Sequence, residues 1–98
     1  IMLHERFDFA IVGMDALVNH IPIWRKKCGV KLPLVIMVVV GHGKGQGPQQ
    51  NKDFTEWFRE MDGWSVYEPN EPEHAYWQLK HAIFGDSPVL FTIHRELY

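Results

Sequence analysis

Four glycines at alternate positions, Gly41, Gly43, Gly45 and Gly47, follow directly on the apolar run Val35–Val40, and Pro48-Gln49-Gln50 stands behind them. Glycine has no Cβ, so backbone built this way lets a ligand or another chain come closer than any other residue would allow. A continuous valine- and isoleucine-rich run suits a strand covered on both faces, as in a parallel sheet. Ligands of open α/β sheets collect at the carboxyl ends of such strands. The chemistry on offer is therefore backbone recognition of a bound group at a sheet edge. The same residues also suit a plain tight connection between a strand and a helix. Two phosphate-binding patterns are excluded: the Gly-Lys-Ser/Thr ending of a Walker loop is absent, and the spacing does not fit Gly-x-Gly-x-x-Gly.

Other reactive side chains are scattered. The six histidines, His4, His20, His42, His74, His81 and His94, show no close ligand pairing, and His74 and His81 stand two helical turns apart. Sequence spacing thus predicts no metal site. Asp15, Glu56 and Glu73 read as helix-surface or capping groups. Cys28 is the single cysteine, which excludes an internal disulfide and favours a reducing compartment.

The elements that must position the glycine run follow from periodicity. Ile11, Met14, Leu17, Val18 and Ile21 make one stripe of a helix over about Phe9 to His20, with Asp8 as its N-cap. Pro22 should kink or end it, with a short continuation to Lys27 closed by Cys28-Gly29. Leu34–Val40 is the first strand. After the glycines, Asp53 with Glu56 forms a capping box, and Phe54, Trp57, Phe58 and Met61 give an amphipathic helix ended by Asp62-Gly63. Trp64–Tyr67 reads as a strand stopped by Pro69. Asn70 with Glu73 forms a second capping box, opening a helix that buries Ala75, Leu79, Ala82 and Ile83 and stops at Gly85. Val89–Ile93 is the last strand. Trp24 and Trp77 fall off the apolar stripes, which makes them candidates for a subunit contact.

Alternating helix and strand implies right-handed βαβ units, so the expected fold is α/β: three layers, a short, mostly parallel sheet with helices on both faces. A chain of 98 residues holds one domain at most and buries roughly 60–65% of its unfolded surface. The net charge of −2 and the scattered Lys and Arg residues give no reason to expect a nucleic-acid partner. No stretch reaches the ~20 apolar residues of a membrane span, and the start lacks a signal-peptide layout. The reading is a soluble cytoplasmic domain with no membrane partner.

The segments Asp8-Phe9, Met14–His20, Leu32–Ile36, Gly41-x-Gly43-x-Gly45-x-Gly47-Pro48-Gln49, Pro88–Phe91 and His94-Arg95-x-Leu97-Tyr98 occur in one order and spacing. In that order they resemble the beta subunit of the decarboxylating component of 2-oxoacid (pyruvate, branched-chain or acetoin) dehydrogenases, among the transketolase-like thiamine-diphosphate enzymes. The resemblance runs through nearly all of 1–98 but covers only part of the subunit, as a single partial pyrimidine-binding domain. It implies the thiamine-diphosphate-binding fold and a cofactor face made by Phe9, Gly41, Gly43, Gly45, Gln49 and Gln50. Phe9 would pack on the aminopyrimidine ring, or serve in the core; either role implies a largely buried side chain. The glycine run would lie beside the cofactor and the partner subunit.

The departures from the family bear on activity. Gln50 stands where the resemblance expects a histidine, and an amide does not change charge near neutral pH, so acid–base work there is lost. Asn51 replaces a usual serine, Met37 an arginine, and His42 a loop glycine. Neither the glutamate that activates the pyrimidine nitrogen nor the Gly-Asp-Gly…Asn diphosphate and magnesium motif has a counterpart here. Catalytic residues are therefore not expected, nor a cofactor for the chain alone; thiamine diphosphate, with magnesium from a partner domain, is implied by resemblance only. Two functions remain: a non-catalytic assembly module that self-associates as a homo-oligomer, with a second copy in a dimer as the expected partner, to cover apolar surface, or one section of a split thiamine-diphosphate enzyme that acts with a partner subunit.

Overall fold

The valine-rich run forms the middle of a parallel sheet. The computed structural model describes residues 1–41 and 52–97. Among these, strands β1 (Met2–His4), β2 (Val35–Val40), β3 (Ser65–Tyr67) and β4 (Val89–His94) form one sheet in the order β1-β2-β4-β3. All three pairings are parallel. Helices α1 (Phe7–Ile11), α2 (Ile21–Cys28) and α3 (Thr55–Glu60) precede α4 (Pro72–Ile83), and a π-helical segment, Asp15–His20, runs into α2. The α/β class with helices on both sheet faces is as the sequence indicates.

Alternation along the strands divides the core in two. Ile36, Val38, Val40 and Leu90 meet Phe7, Ala10, Leu17, Phe58 and Trp64 on one face. The rings there form a chain of edge and tilted contacts: Phe7 lies 5.5 Å from Phe54 and 5.6 Å from Phe58, and Phe58 lies 5.4 Å from Trp64. On the other face Val35, Val89 and Phe91 meet Ala82, with Ala75 and Leu79 of α4 packed beside them.

Several sequence expectations are corrected. β1 was not foreseen. The single helix expected over Phe9 to His20 is two pieces, α1 and the π-helical segment, and Asp8 lies in the first turn of α1 instead of capping it. Asp53 and Glu56 form no capping box: Asp53 Oδ1 accepts from the Thr55 backbone N–H at 2.9 Å, a local turn that starts α3 two residues later. Asn70 and Glu73 form none either, because the chain enters α4 through extended Glu71 with Pro72 as first helical residue. Ile83 is exposed, not buried. Of the tryptophans, Trp64 is core, while Trp24, Trp57 and Trp77 stand exposed.

Pro22 accounts for the π-helical form of the second piece. Proline has no N–H, so a regular helix through it leaves a carbonyl unpaired one turn back. The π-helical segment shifts the pattern by one residue, and the Ile21 N–H bonds to the Ala16 carbonyl. In that pattern the Leu17 carbonyl faces Pro22, which offers no proton. The Trp64 indole donates to it instead, Nε1 to O at 2.8 Å. The segment carrying Trp64 is held close to this turn. Gly63 has φ +101°, and a Cβ there would lie 2.6 Å from the Pro22 Cβ. Lys26 and Asp62 form an ion pair beside it.

Trp64→Phe keeps most of the ring packing but leaves the Leu17 carbonyl without its donor. It is expected to lower stability by about 1–3 kcal/mol, read as a fall in the urea midpoint at unchanged slope.

Candidate functional site

The carboxyl ends of β2 and β4 lie side by side, with Val40 paired to His94. At this edge the chain leaves β2 through Gly41, which is buried. A Cβ on Gly41 would lie 3.2 Å from the Arg95 Cβ and 3.6 Å from Arg6 Nη1. The close approach that glycine permits here is therefore made by the chain's own Arg6 and Arg95. Past the glycine run the chain returns to the same edge, where the Lys52 N–H donates to Asp8 Oδ2 at 3.2 Å. The start of α1, the exit of β2, the exit of β4 and the approach to α3 thus converge on one end of the sheet.

Of the residues implied as a cofactor face, Phe9 and Gly41 belong to this region. Gly43, Gly45, Gln49 and Gln50 lie outside the described residues. Phe9 corrects the expectation of burial: its side chain is 48% exposed. The reason is helical phase. α1 begins at Phe7 rather than Phe9, Phe7 and Ala10 turn inward to the core, and Phe9 is left on the open side.

The same edge carries a polar cluster that sequence spacing did not reveal. Glu68 follows β3, His94 ends β4, and Asp53 precedes α3; one donor atom from each lies within 4.8 Å of the others. His94 Nε2 meets Glu68 Oε2, and Arg59 Nη2 donates to Glu68 Oε1 at 2.6 Å. Arg59 also pairs with Glu56. Asp53 is fixed by Thr55, whose buried hydroxyl lies 3.0 Å from that of Thr92 on β4. These residues are separated by 15 and 26 positions in the chain, so only the pairing of β3 with β4 and the docking of α3 bring them together. Two carboxylates and one imidazole at this spacing are a ligand set for a divalent ion.

Charge in this cluster is set by competing effects. Burial works against the ionised form of Glu68, but hydrogen bonds from His94 and Arg59 outweigh it and hold the carboxyl below its ordinary value. The Arg59 guanidinium is pushed upward, chiefly by its hydrogen bond to Glu68. A carboxyl with a depressed native pKa contributes stability that is present above its unfolded value of 4.5 and is lost as pH falls through the native value. Acid titration of the urea midpoint is therefore expected to show a loss below about pH 4.5 that is smaller in Glu68→Gln than in the parent chain.

No family model matches the chain. Individual proteins do. The chain is 30% identical over 94 residues to the pyruvate dehydrogenase E1 component subunit beta, mitochondrial, of Caenorhabditis elegans, covering 94% of the chain and 27% of the relative. It is 32% identical over 93 residues to the acetoin:2,6-dichlorophenolindophenol oxidoreductase subunit beta of Cupriavidus necator, covering 93% and 28%. It is 26% identical over 96 residues to the 3-methyl-2-oxobutanoate dehydrogenase subunit beta of Mycobacterium tuberculosis, covering 95% and 28%. The chain spans about a quarter of the length of these curated relatives. On an all-parallel α/β fold, the chain is thus similar along nearly its whole length to beta subunits of 2-oxoacid dehydrogenases, consistent with part of a transketolase-like domain.

Proposed function

We propose that residues 1–98 act as a non-catalytic assembly module derived from a thiamine-diphosphate enzyme beta subunit, and that the module pairs with a second copy of itself. The observation that carries this reading is an uncovered strip on the α4 face of the sheet. Leu3, Met37, Phe91 and Tyr67 are register partners across the four strands and point to one side. Phe91 is buried under α4, Met37 is half-buried, and Leu3 is 61% exposed. Val39 and Ile93, further along the same face, are also only half-buried. Among the described residues α4 is the one helix in the core of this face, packed with Val35, Val89 and Phe91, and Leu3 of β1 lies outside that cluster. A parallel sheet needs cover on both faces, and a second copy laid over β1 and β2 supplies it.

The catalytic side of the reading rests on Gln50. Where the resemblance expects a titratable histidine, an amide leaves no proton shuttle. A reducing, cytoplasmic setting accords with the single cysteine, Cys28. No described helix is long and apolar enough to cross a membrane.

A second reading has its own observation. The ring of Phe9 is exposed on α1, and Arg6, just before that helix, lies beside Gly41, which supports the stacking on a planar ring that the family resemblance implies. In that reading Phe9, Gly41, Gly43, Gly45, Gln49 and Gln50 form half of a thiamine-diphosphate site. A partner subunit supplies the diphosphate and magnesium half.

Sedimentation velocity is expected to find the parent chain as a dimer at micromolar concentration, and Met37→Glu as a folded monomer. A parent chain that stays monomeric overturns the assembly reading. Calorimetric titration with thiamine diphosphate and magnesium is expected to show no binding. Micromolar binding by the chain alone would favour the split-enzyme reading instead.

A further inference from the structure

We infer that Asp53, Glu68 and His94 form a binding site for a divalent transition-metal ion, with zinc as the best match. The site is independent of thiamine chemistry and of self-association. Its ligands come from three different elements: the approach to α3, the residue after β3, and the last residue of β4. One donor atom of each lies within 4.8 Å of the others. A zinc ion bound at about 2.0–2.2 Å to nitrogen and oxygen holds its ligands roughly 3–4 Å apart, so the ion enters by parting His94 Nε2 from Glu68 Oε2, which now meet directly, with Asp53 within reach to complete the set.

The carboxylates are pre-oriented from behind. Thr55 holds Asp53 Oδ1 through its backbone N–H at 2.9 Å and through its hydroxyl, and that hydroxyl is tied to Thr92 at 3.0 Å. Thr55 and Thr92 are both buried. Arg59 holds Glu68 Oε1 at 2.6 Å and leaves Oε2 toward His94. Each acid thus has one oxygen held by a positioning group, the outer-shell pattern that fixes metal ligands, and in Glu68 the other oxygen, Oε2, is turned to His94. An ion pair among Arg59, Glu68 and His94 accounts for two of the three residues; the turn that starts α3 brings the second carboxylate, Asp53, within reach of the same point. Mixed imidazole and carboxylate donors favour zinc or a neighbouring first-row ion over magnesium or calcium, which take all-oxygen sets. With three protein ligands a fourth position stays open to water or an incoming group. The ion would fasten the approach to α3 onto the ends of β3 and β4.

The test is calorimetric titration of the chain with zinc chloride, alongside thermal melting with and without zinc. The parent chain is expected to bind one zinc at micromolar or tighter affinity and to melt higher with the metal. Asp53→Asn retains the oxygen that accepts from Thr55, and His94→Gln retains a polar tip for Glu68, so both are expected to fold with a parent-like circular dichroism spectrum. Each is expected to weaken binding by at least about tenfold, the scale seen even for outer-shell changes. His74→Gln, remote on α4, is expected to bind as the parent does. Absence of binding at micromolar zinc, or affinity unchanged in both Asp53→Asn and His94→Gln, overturns the site.

Discussion

Pairing of β2 with β4 is the constraint on which the rest of the molecule depends. Six residues of each strand run in register, from Val35 opposite Val89 to Val40 opposite His94. The two strands are far apart in sequence, and β3 and α4 fold between them. Because the ladder is parallel, all its strands end at one edge. Gly41, Arg95, His94, Glu68 and the approach to α3 arrive there as a consequence of strand direction. The two strands also set the division of the core, since Ile36 and Leu90 point toward α1 and α3 while Val35 and Phe91 point toward α4.

The two faces are unequal. One is sealed by a chain of aromatic rings and by the turn built around Pro22, where a missing N–H is answered by the Trp64 indole. That turn ties the first third of the chain to the strand that begins at Ser65, so a local defect in a helix becomes a long-range hydrogen bond. The other face is covered over β3 and β4 and thins toward β1. An α/β sheet open on part of one face carries apolar surface that water does not favour, and cover from outside the described residues removes it. The proposed pairing of two copies would supply that cover.

What sequence showed and what it concealed follow the range of the interactions involved. β2 and β4 were legible because buried parallel strands are apolar without alternation, and α4 because its stripe spans three turns. β1 was not, being three residues with no periodicity to count. The π-helical piece was half legible: Pro22 announced a disturbance, but the donor that answers the Leu17 carbonyl, Trp64, lies 42 positions further on. The capping boxes failed because Asp53 found a nearer donor in Thr55, and because Pro72 forces an extended residue before it. Phe9 was misplaced by a shift of two residues in where α1 begins, enough to turn a ring from core to surface. The Asp53, Glu68 and His94 cluster was illegible, since no local spacing joins residues assembled by strand order. The glycine run was the clearest signal in the chain, and its first residue, Gly41, stands where β2 ends, at the carboxyl edge of the sheet.

The central claim is that the thin face at β1 and β2 is an interface between copies. Amide hydrogen exchange at low and high protein concentration tests it most directly. Protection at Met2–His4 is expected to rise with concentration while that of α4 stays constant. Exchange in β1 that is indifferent to concentration, or a rise confined to α4, would contradict the account.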